Sequence, residues 1–492
     1  MRDLSRRLIV VSNRLPVALK REGDKWRLKP GKGGLVNALA PVLRDRGGVW
    51  IGWSGAAGKL DLENQFGIFS KEAGYTLHPV PLSETEVRGF YQGFSNEVIW
   101  PLFHGFQSRC DFVPEYFRTY VAVNRKFAEI IARTGGASDY IWVHDYHLMH
   151  VASLLRERGC DRGIGFFLHI PFPSPDIFLK LPWRSKIIRA LMDFDLVGFQ
   201  TPRDRRNFLQ CLNALCRGAK VMGRGSVGTV DFEGRQVRVG YFPIGIDFKS
   251  FFQKSRTGEI AKRASDIQDS FKRRFIILGA DRLDYTKGIP QRLEAIRALL
   301  TRYPELWGKI TFVQIVVPSR EMVPEYQAQK TEIDSLVGEI NGNFTRAGWV
   351  PIHYYYRNLD RKNLVAHYRI ADVALVTPLR DGMNLVAKEY CACNISESGV
   401  LLLSEFAGAA AQLQRGALLV NPYDVDGVAN SIFRAFHMDP EERRSRMHRM
   451  RTSVRKYDIF WWVDSFLEAA FAKHLDDFPT LEGEVVDFQT ER

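Results

Sequence analysis

The sequence predicts an α/β protein of two Rossmann-like, doubly wound domains that face a central cleft. Three observations lead there. The chain has 492 residues, enough for two large domains. Apolar runs of strand length alternate with amphipathic stretches almost throughout, the pattern of parallel sheets covered on both faces. The two halves also open alike. RRLIVVSNRLP, from Arg6, and RRFIILGADRLD, from Arg273, each set a basic pair, a short apolar strand, a polar turn and an arginine in series.

In chain order, RRLIVVSNR, YIWVHDYH, GIGFFLHI, LVGFQT and RVGYFPIGI read as the strands of the first half. FIILGADR, ITFVQIVV, HYYYR, VALVTPLR, VLLLSEF and ALLVNPY read as those of the second. RALMDFD and IPQRLEAIRALLTRYP read as amphipathic helices between strands. Lys249 to Lys272 is polar and reads as helical, so the domains are 1–247 and 248–474. Residues 217–239 carry no assignable motif and read as a hairpin or loop. The segment 475–492 is acidic and lacks apolar periodicity, so it reads as a disordered tail.

The composition, 45% hydrophobic and 25% charged, is that of an ordinary globular protein. No stretch reaches the roughly 18 uncharged apolar residues of a membrane span. The start, MRDLSRRLIVVSNR, has basic residues before an apolar run, as a secretory signal does. That run is short and no small-residue cleavage site follows, so it reads as the first strand. The net charge of +13 is scattered. A nucleic-acid binder would concentrate it on one face. Some of it in a cleft would instead attract anionic substrates. The six cysteines, Cys110, Cys160, Cys211, Cys216, Cys391 and Cys393, make no disulfide framework, and Cys391-Ala-Cys393 lacks a second pair at zinc spacing. Buried thiols in a reducing cytoplasm is the expectation.

Five segments carry candidate chemistry. In GKGGLVNALAPVL, Gly31, Gly33 and Gly34 precede an amphipathic helix, where backbone can approach a phosphate. It is neither a full dinucleotide fingerprint nor a P-loop, and a plain flexible turn is the alternative. In WVHDYHLMH, His144, Asp145 and His147 end a strand. Asp145 is a ligand candidate there, whereas a metal would need His144, His147 and His150 to converge. In FFLHIPFPSPDIF, His169 ends a strand before three prolines that stiffen the loop. A neutral imidazole there can donate to a sugar hydroxyl, or simply be a satisfied core histidine. In GADRLDYTKGIP, Arg282 and Lys287 flank a short turn, a guanidinium fork and a point charge that suit a diphosphate. A salt-bridged loop is the alternative. In TPLRDGMNLVAKEY, Asp381 starts a turn whose N–H groups can point at a ligand, and Glu389 lies about two helical turns on. Carboxylates accept two hydrogen bonds from vicinal hydroxyls. Together these residues compose a nucleotide-sugar site.

The motifs VSNRLP, GGLVNAL, WIGWSG, FYQGFSNEVIWPLFH, VHDYHL, FFLHIPFPSPDIF, LVGFQT, RLDYTKGIPQRL, GWVPIHYYYR, TPLRDGMNLVAKEY and LSEFAGAA occur in this order over about residues 8–470. In them the chain resembles the trehalose-6-phosphate synthase family of retaining glycosyltransferases. The resemblance implies a GT-B fold, with an acceptor-side first domain, a nucleotide-sugar second domain and a last helix crossing back to the first. It implies glucose transfer from UDP-glucose to glucose 6-phosphate, giving trehalose 6-phosphate and UDP, with no metal or other cofactor. The expected partners are these small molecules and further copies of the chain, as a dimer or tetramer, and neither nucleic acid nor membrane. Osmotic or stress protection is the implied role.

The resemblance also implies residue roles. Arg282 and Lys287 hold the donor diphosphate, which Gly33 and Gly34 approach from the other domain. Asp381 and the N–H groups of Gly382, Met383 and Asn384 bind the donor glucose, which His169 contacts. Glu389 takes the ribose hydroxyls near Leu385 and Val386. Arg14, Tyr91 and Arg320 clamp the acceptor phosphate. Trp100 and Asp145 line the acceptor sugar, as does Trp53, though core packing is the alternative for both tryptophans. No carboxylate in these motifs is an obvious covalent nucleophile, so a front-face reaction is expected. Glucosylglycerol-phosphate synthases, cyclitol-directed relatives and catalytically silent regulatory homologues share the scaffold. Arg14 and Arg320 together favour a hexose phosphate, and the intact charged motifs disfavour a silent protein. Nothing in the motifs selects UDP over GDP or ADP.

Overall fold

The computed structural model describes residues 7–22, 25–31, 34–58, 63–223, 225–320, 323–472 and 475. Gly33 and the expected tail beyond residue 475 lie outside the described residues. The chain divides into two compact units, Met1–Ile244 with Phe460–Arg492, and Gly245–Ile459.

The first unit contains β1 (Leu8–Arg14), β2 (Val17–Glu22), β3 (Lys25–Pro30), β4 (Gly48–Trp53), β5 (Thr76–Pro79), β6 (Tyr140–His144), β7 (Ile164–Phe167), β8 (Leu196–Phe199), β9 (Lys220–Met222), β10 (Val227–Phe232) and β11 (Arg235–Tyr241). Its main sheet runs β5-β4-β1-β6-β7-β8-β11-β10-β9, and β2 and β3 form a separate antiparallel hairpin. The strands from β5 to β11 are parallel, and β10 and β9 are antiparallel additions. Within 217–239 the expected hairpin is present, as the antiparallel β10–β11 pair, and with β9 it extends the sheet. Strand order reverses between β1 and β6, so Arg14 and Asp145 stand at the carboxyl ends that flank a topological switch.

Apolar strands form a sheet buried on both faces here because helices cover each side. One cover is the helix Ile459–Phe471. Phe466 lies flat on Trp142 of β6, with ring centroids 4.4 Å apart and planes 11° apart. Glycines in the sheet make room for it. A Cβ on Gly165 or Gly198 would stand 2.9 or 2.8 Å from Phe466. Burying that phenylalanine contributes about 1.5–3 kcal/mol.

A second feature is the 13-residue π-helix Val87–Ile99, in the motif FYQGFSNEVIW. It follows a capping box in which Ser83 and Glu86 satisfy each other's backbone N–H groups. The wide helix packs against the helix Pro114–Arg133 through glycines: a Cβ on Gly89 would stand 2.8 Å from the Thr119 side chain, and one on Gly93 2.5 Å from the Tyr116 ring. π-Helical turns are rare and recur at functional sites. This one carries Tyr91 and leads into Trp100.

The second unit contains β12 (Phe275–Arg282), β13 (Ile310–Val317), β14 (Ile352–Tyr356), β15 (Val373–Val376), β16 (Val400–Ser404) and β17 (Leu418–Val420). They form one parallel sheet, β14-β13-β12-β15-β16-β17. Its order reverses between β12 and β15, so Arg282 and the segment from Thr377 flank a second switch point. The stretch Lys249 to Lys272 is helical, as Phe248–Ser255 and Gly258–Ser270. RALMDFD is helical only at its start, because the helix Arg184–Leu191 ends inside it.

The close approach at Gly93 gives a direct check. Gly93→Ala forces its methyl into the Tyr116 ring and should cost about 1–3 kcal/mol, read as a lowered denaturation midpoint. An unchanged midpoint would contradict the close packing of the π-helix.

Candidate functional site

In the second unit the turns after β12 and β15 are tied together. Asp284 caps the turn Tyr285–Lys287, accepting from the Thr286 N–H at 2.9 Å. The Thr286 carbonyl accepts the Leu379 N–H at 2.8 Å. Gly288, at φ 64°, allows the approach, since a Cβ there would stand 2.4 Å from the Thr377 carbonyl. Across this junction Lys287 Nζ meets Asp381 Oδ2 at 2.7 Å, with side chains 9% and 16% exposed. Arg282, at the end of β12, is exposed and makes no ion pair with any described residue. The pair expected for a diphosphate is therefore asymmetric, one cation held by a carboxylate and the other open.

Beneath them sits a buried network. Arg292 pairs with Asp281 at 2.6 Å. It donates to Gln314 Oε1 at 3.1 Å, to Thr377 Oγ1 at 3.0 Å and to the Lys287 carbonyl at 3.3 Å. One guanidinium thus ties the ends of β12 and β15 and the middle of β13 to the lysine turn.

Asp381 opens the turn into the helix Leu385–Cys393. Its backbone exchanges hydrogen bonds with Phe406 and Gly408. Asn384, at φ 77°, caps the helix by accepting the Ala387 N–H and donates to Asp381 Oδ2 at 3.3 Å. No hydrogen bond joins the N–H groups of Gly382, Met383, Asn384, Leu385 or Val386 to a described residue. Successive donors of this kind at a helix start suit anions and hydroxyl oxygens. Glu389, partly buried on the same helix, accepts from Tyr368 Oη at 2.9 Å. Burial raises its carboxyl from the ordinary 4.5 to about 7, against the lowering by that hydrogen bond and by Arg361. Arg320 is turned to Tyr326 Oη and lies 3.8 Å from Asp284 Oδ2.

In the first unit the structure brings Arg14, Trp53 and Tyr91 together. The Arg14 guanidinium lies 3.9 Å over the Trp53 ring and 5.3 Å from the Tyr91 ring. Asp145 takes φ 74°, and its Oδ1 accepts the His169 backbone N–H at 3.3 Å. Trp100 is buried, 4.2 Å from the His104 ring and 5.9 Å from the Tyr146 ring. His169 lies beside His144, and burial pushes its ring down to about 3. Gly34 opens the helix Gly34–Arg46. Among the described residues no group of three His, Cys, Asp or Glu side chains could hold a metal ion, including the His144, His147 and His150 segment. All six cysteines are free thiols.

Arg292, Asp281, Tyr368 and Trp462 escaped the sequence reading. Asp281 stands inside GADRLD, where it can be singled out. Tyr368 meets Glu389 from the preceding helix, and no local spacing announces that contact.

Two Rossmann-like domains of parallel sheet, with these strand-end turns, define a glycosyltransferase of the GT-B class. Within that class the chain belongs to glycosyltransferase family 20, whose model matches residues 6–472. It is 44% identical over 472 residues to a trehalose-6-phosphate synthase of Mycolicibacterium smegmatis, covering 94% of this chain and 92% of that one. It is 42% identical to the UDP-forming alpha,alpha-trehalose-phosphate synthase A of Dictyostelium discoideum, covering 94% of this chain but spanning 62% of that longer relative. A Burkholderia xenovorans UDP-forming alpha,alpha-trehalose-phosphate synthase in complex with glucose-6-phosphate superposes with a TM-score of 0.85 at 36% identity, covering 94% and 99% of the two chains. An E. coli trehalose-6-phosphate structure bound with UDP-2-fluoro glucose superposes at 0.84 and 39% identity, covering 95% and 99%.

Two outcomes follow from the buried charges. Arg292→Leu leaves Asp281 buried and uncompensated and should cost about 3–5 kcal/mol in denaturant unfolding. A loss under 1 kcal/mol would contradict the network. For Glu389, the folded protein keeps a proton between about pH 4.5 and 7 that the unfolded chain has lost. Stability from that protonated carboxyl is complete below 4.5 and is lost as pH rises through 7. Glu389→Gln removes the loss, so its stability relative to the parent should rise across that window. Parallel pH profiles would contradict the burial of Glu389.

Proposed function

We propose that the chain is a retaining glucosyltransferase that moves glucose from UDP-glucose to glucose 6-phosphate, giving alpha,alpha-trehalose 6-phosphate and UDP. The observation that carries this is the second unit's switch point. There an open arginine, a carboxylate-held lysine, a row of undonated N–H groups and a partly buried glutamate stand together at the carboxyl ends of β12 and β15. The family and the relatives' substrates support the same assignment.

In this reading Arg282 and Lys287 hold the donor diphosphate, with Gly33 and Gly34. Asp381 and the N–H groups of Gly382, Met383 and Asn384 hold the donor glucose, which His169 also meets. Glu389, beside Leu385 and Val386, accepts the ribose hydroxyls, for which its carboxyl must be ionised. Arg14, Tyr91 and Arg320 receive the acceptor phosphate, and Trp100, Asp145 and Trp53 line the acceptor sugar. No side chain forms a covalent intermediate. The leaving phosphate takes the acceptor hydroxyl's proton on the same face as attack. The protein supplies orientation and meets the developing diphosphate charge with Arg282 and Lys287. That charge is met without a metal, so a chelator should leave the rate unchanged. We place the enzyme in the cytoplasm as a homo-oligomer; among the described residues no helix is long and apolar enough to cross a membrane.

The test is nucleotide release from UDP-glucose with glucose 6-phosphate, glycerol 3-phosphate or no acceptor. Release that requires glucose 6-phosphate, with a non-reducing disaccharide phosphate as product, is the expected result. Release only with glycerol 3-phosphate would move the chain to the glucosylglycerol-phosphate activity. No release from UDP-, GDP- or ADP-glucose would leave a silent scaffold. In the active case Lys287→Ala should lower turnover on the order of a hundredfold or more. Near-normal turnover would overturn the role of Lys287.

A further inference from the structure

The proposed transfer leaves one buried imidazole at the carboxyl end of β6 unused. His144 is fully buried, and its Nδ1 lies 3.2 Å from Nε2 of His169 with the ring planes 34° apart. Burial pushes both rings far below the ordinary histidine value, so both are neutral. One proton therefore occupies the contact, and it can come from either ring. If His144 donates through Nδ1–H, its Nε2 carries a lone pair and the proton of His169 sits on Nδ1. If His169 donates through Nε2–H, His144 carries its own proton on Nε2 and the Nδ1 of His169 is bare.

The surroundings of His144 Nε2 separate the two. That atom is buried and has no hydrogen-bond partner among the described residues. Besides His169, the rings in contact with His144 are Trp142 at 4.7 Å and Trp462 at 6.2 Å between centroids. The indole N–H groups of both are also buried without an acceptor. An indole nitrogen only donates. This cluster already holds two unsatisfied donors and no acceptor. None of these three nitrogens is hydrogen-bonded to another. A proton on His144 Nε2 would add a third orphaned buried N–H, whereas a bare lone pair there adds none. Trp142 and His144 share a face of β6 because they are two residues apart on a strand. Trp462 is brought to them by the helix Ile459–Phe471.

We infer that His144 is a positioning residue: its Nδ1–H donates to His169 Nε2, which fixes the proton of His169 on Nδ1 and presents that ring to the donor sugar as a hydrogen-bond donor. The inference rests on the proposal that His169 meets the donor sugar. It has a mechanistic consequence. With its Nε2 lone pair taken by His144 and a proton on Nδ1, His169 keeps no lone pair for a substrate proton. It cannot serve as general base, which leaves that task to the departing phosphate.

The test is nitrogen-15 NMR of the histidine rings in the ligand-free full chain, with the two rings assigned through His144→Phe and His169→Gln. Protons on Nδ1 of both rings are expected. A proton on His169 Nε2 overturns the inference whatever the activity. Turnover adds a second readout. His144→Phe fills the site without a donor and should lower kcat by about tenfold or more. His144→Asn keeps an N–H near the position of Nδ1 and should recover most of it. Equal losses in the two variants would assign His144 to packing and overturn the inference. If the Nδ1 proton is found but UDP-glucose leaves the His169 signals unmoved, the tautomer stands and the placing of the donor sugar at His169 is what fails.

Discussion

The ion pair between Lys287 and Asp381 is the constraint on which the second unit's site depends. Its partners are 94 residues apart in sequence and come from turns after different strands. Only when β12 and β15 are neighbours, at the point where strand order reverses, do the two turns meet. A lysine ammonium has three donors, so the 2.7 Å contact with Asp381 leaves two for a ligand. The carboxylate in turn holds the ammonium in place while it is mostly buried. Arg292 underpins the arrangement by gripping the Lys287 carbonyl and Thr377 together. Positioning is therefore built into the fold and needs no ligand to establish it.

The first unit solves a different problem with the same means. Its sheet is covered by a helix from the far end of the sequence, admitted by glycines at positions 165 and 198. That helix brings Trp462 against His144 and His169, leaving His144 fully buried and His169 partly so. Burial keeps them neutral, so they act as directional hydrogen-bonding groups and not as charges. Arg14, by contrast, is exposed and lies across the aromatic faces of Trp53 and Tyr91, where cation–π attraction orients it without neutralising it. Neutral and cationic groups are thus kept apart by the degree of burial that each element imposes.

Much of this was legible in the sequence. Apolar runs such as ITFVQIVV and VLLLSEF became parallel strands because nothing else buries so continuous an apolar segment on both sides. Strand-end residues in the motifs, among them Arg282, Asp381 and Asp145, stand at carboxyl strand ends, since a strand followed by a polar turn has few other places to put them. Strands β4 and β5 were not separated out, because GVWIGW and TLHP are short and carry no distinct periodicity. The tyrosine that meets Glu389, the arginine below Lys287 and the tryptophan over His144 were also missed. Each lies beside its partner only after helices pack on the sheet, and local spacing has no information about that. RALMDFD misled for the opposite reason: its apolar spacing fits a helix, while the chain must already turn toward β8.

The central claim is that the β12 and β15 turns together form a nucleotide-sugar site. A crystal structure of the protein soaked with UDP tests it most directly. The account predicts the diphosphate within hydrogen-bond distance of Arg282 and Lys287, with Lys287 still touching Asp381, and the ribose hydroxyls on Glu389. A nucleotide bound elsewhere, or a diphosphate that touches neither cation, would contradict it.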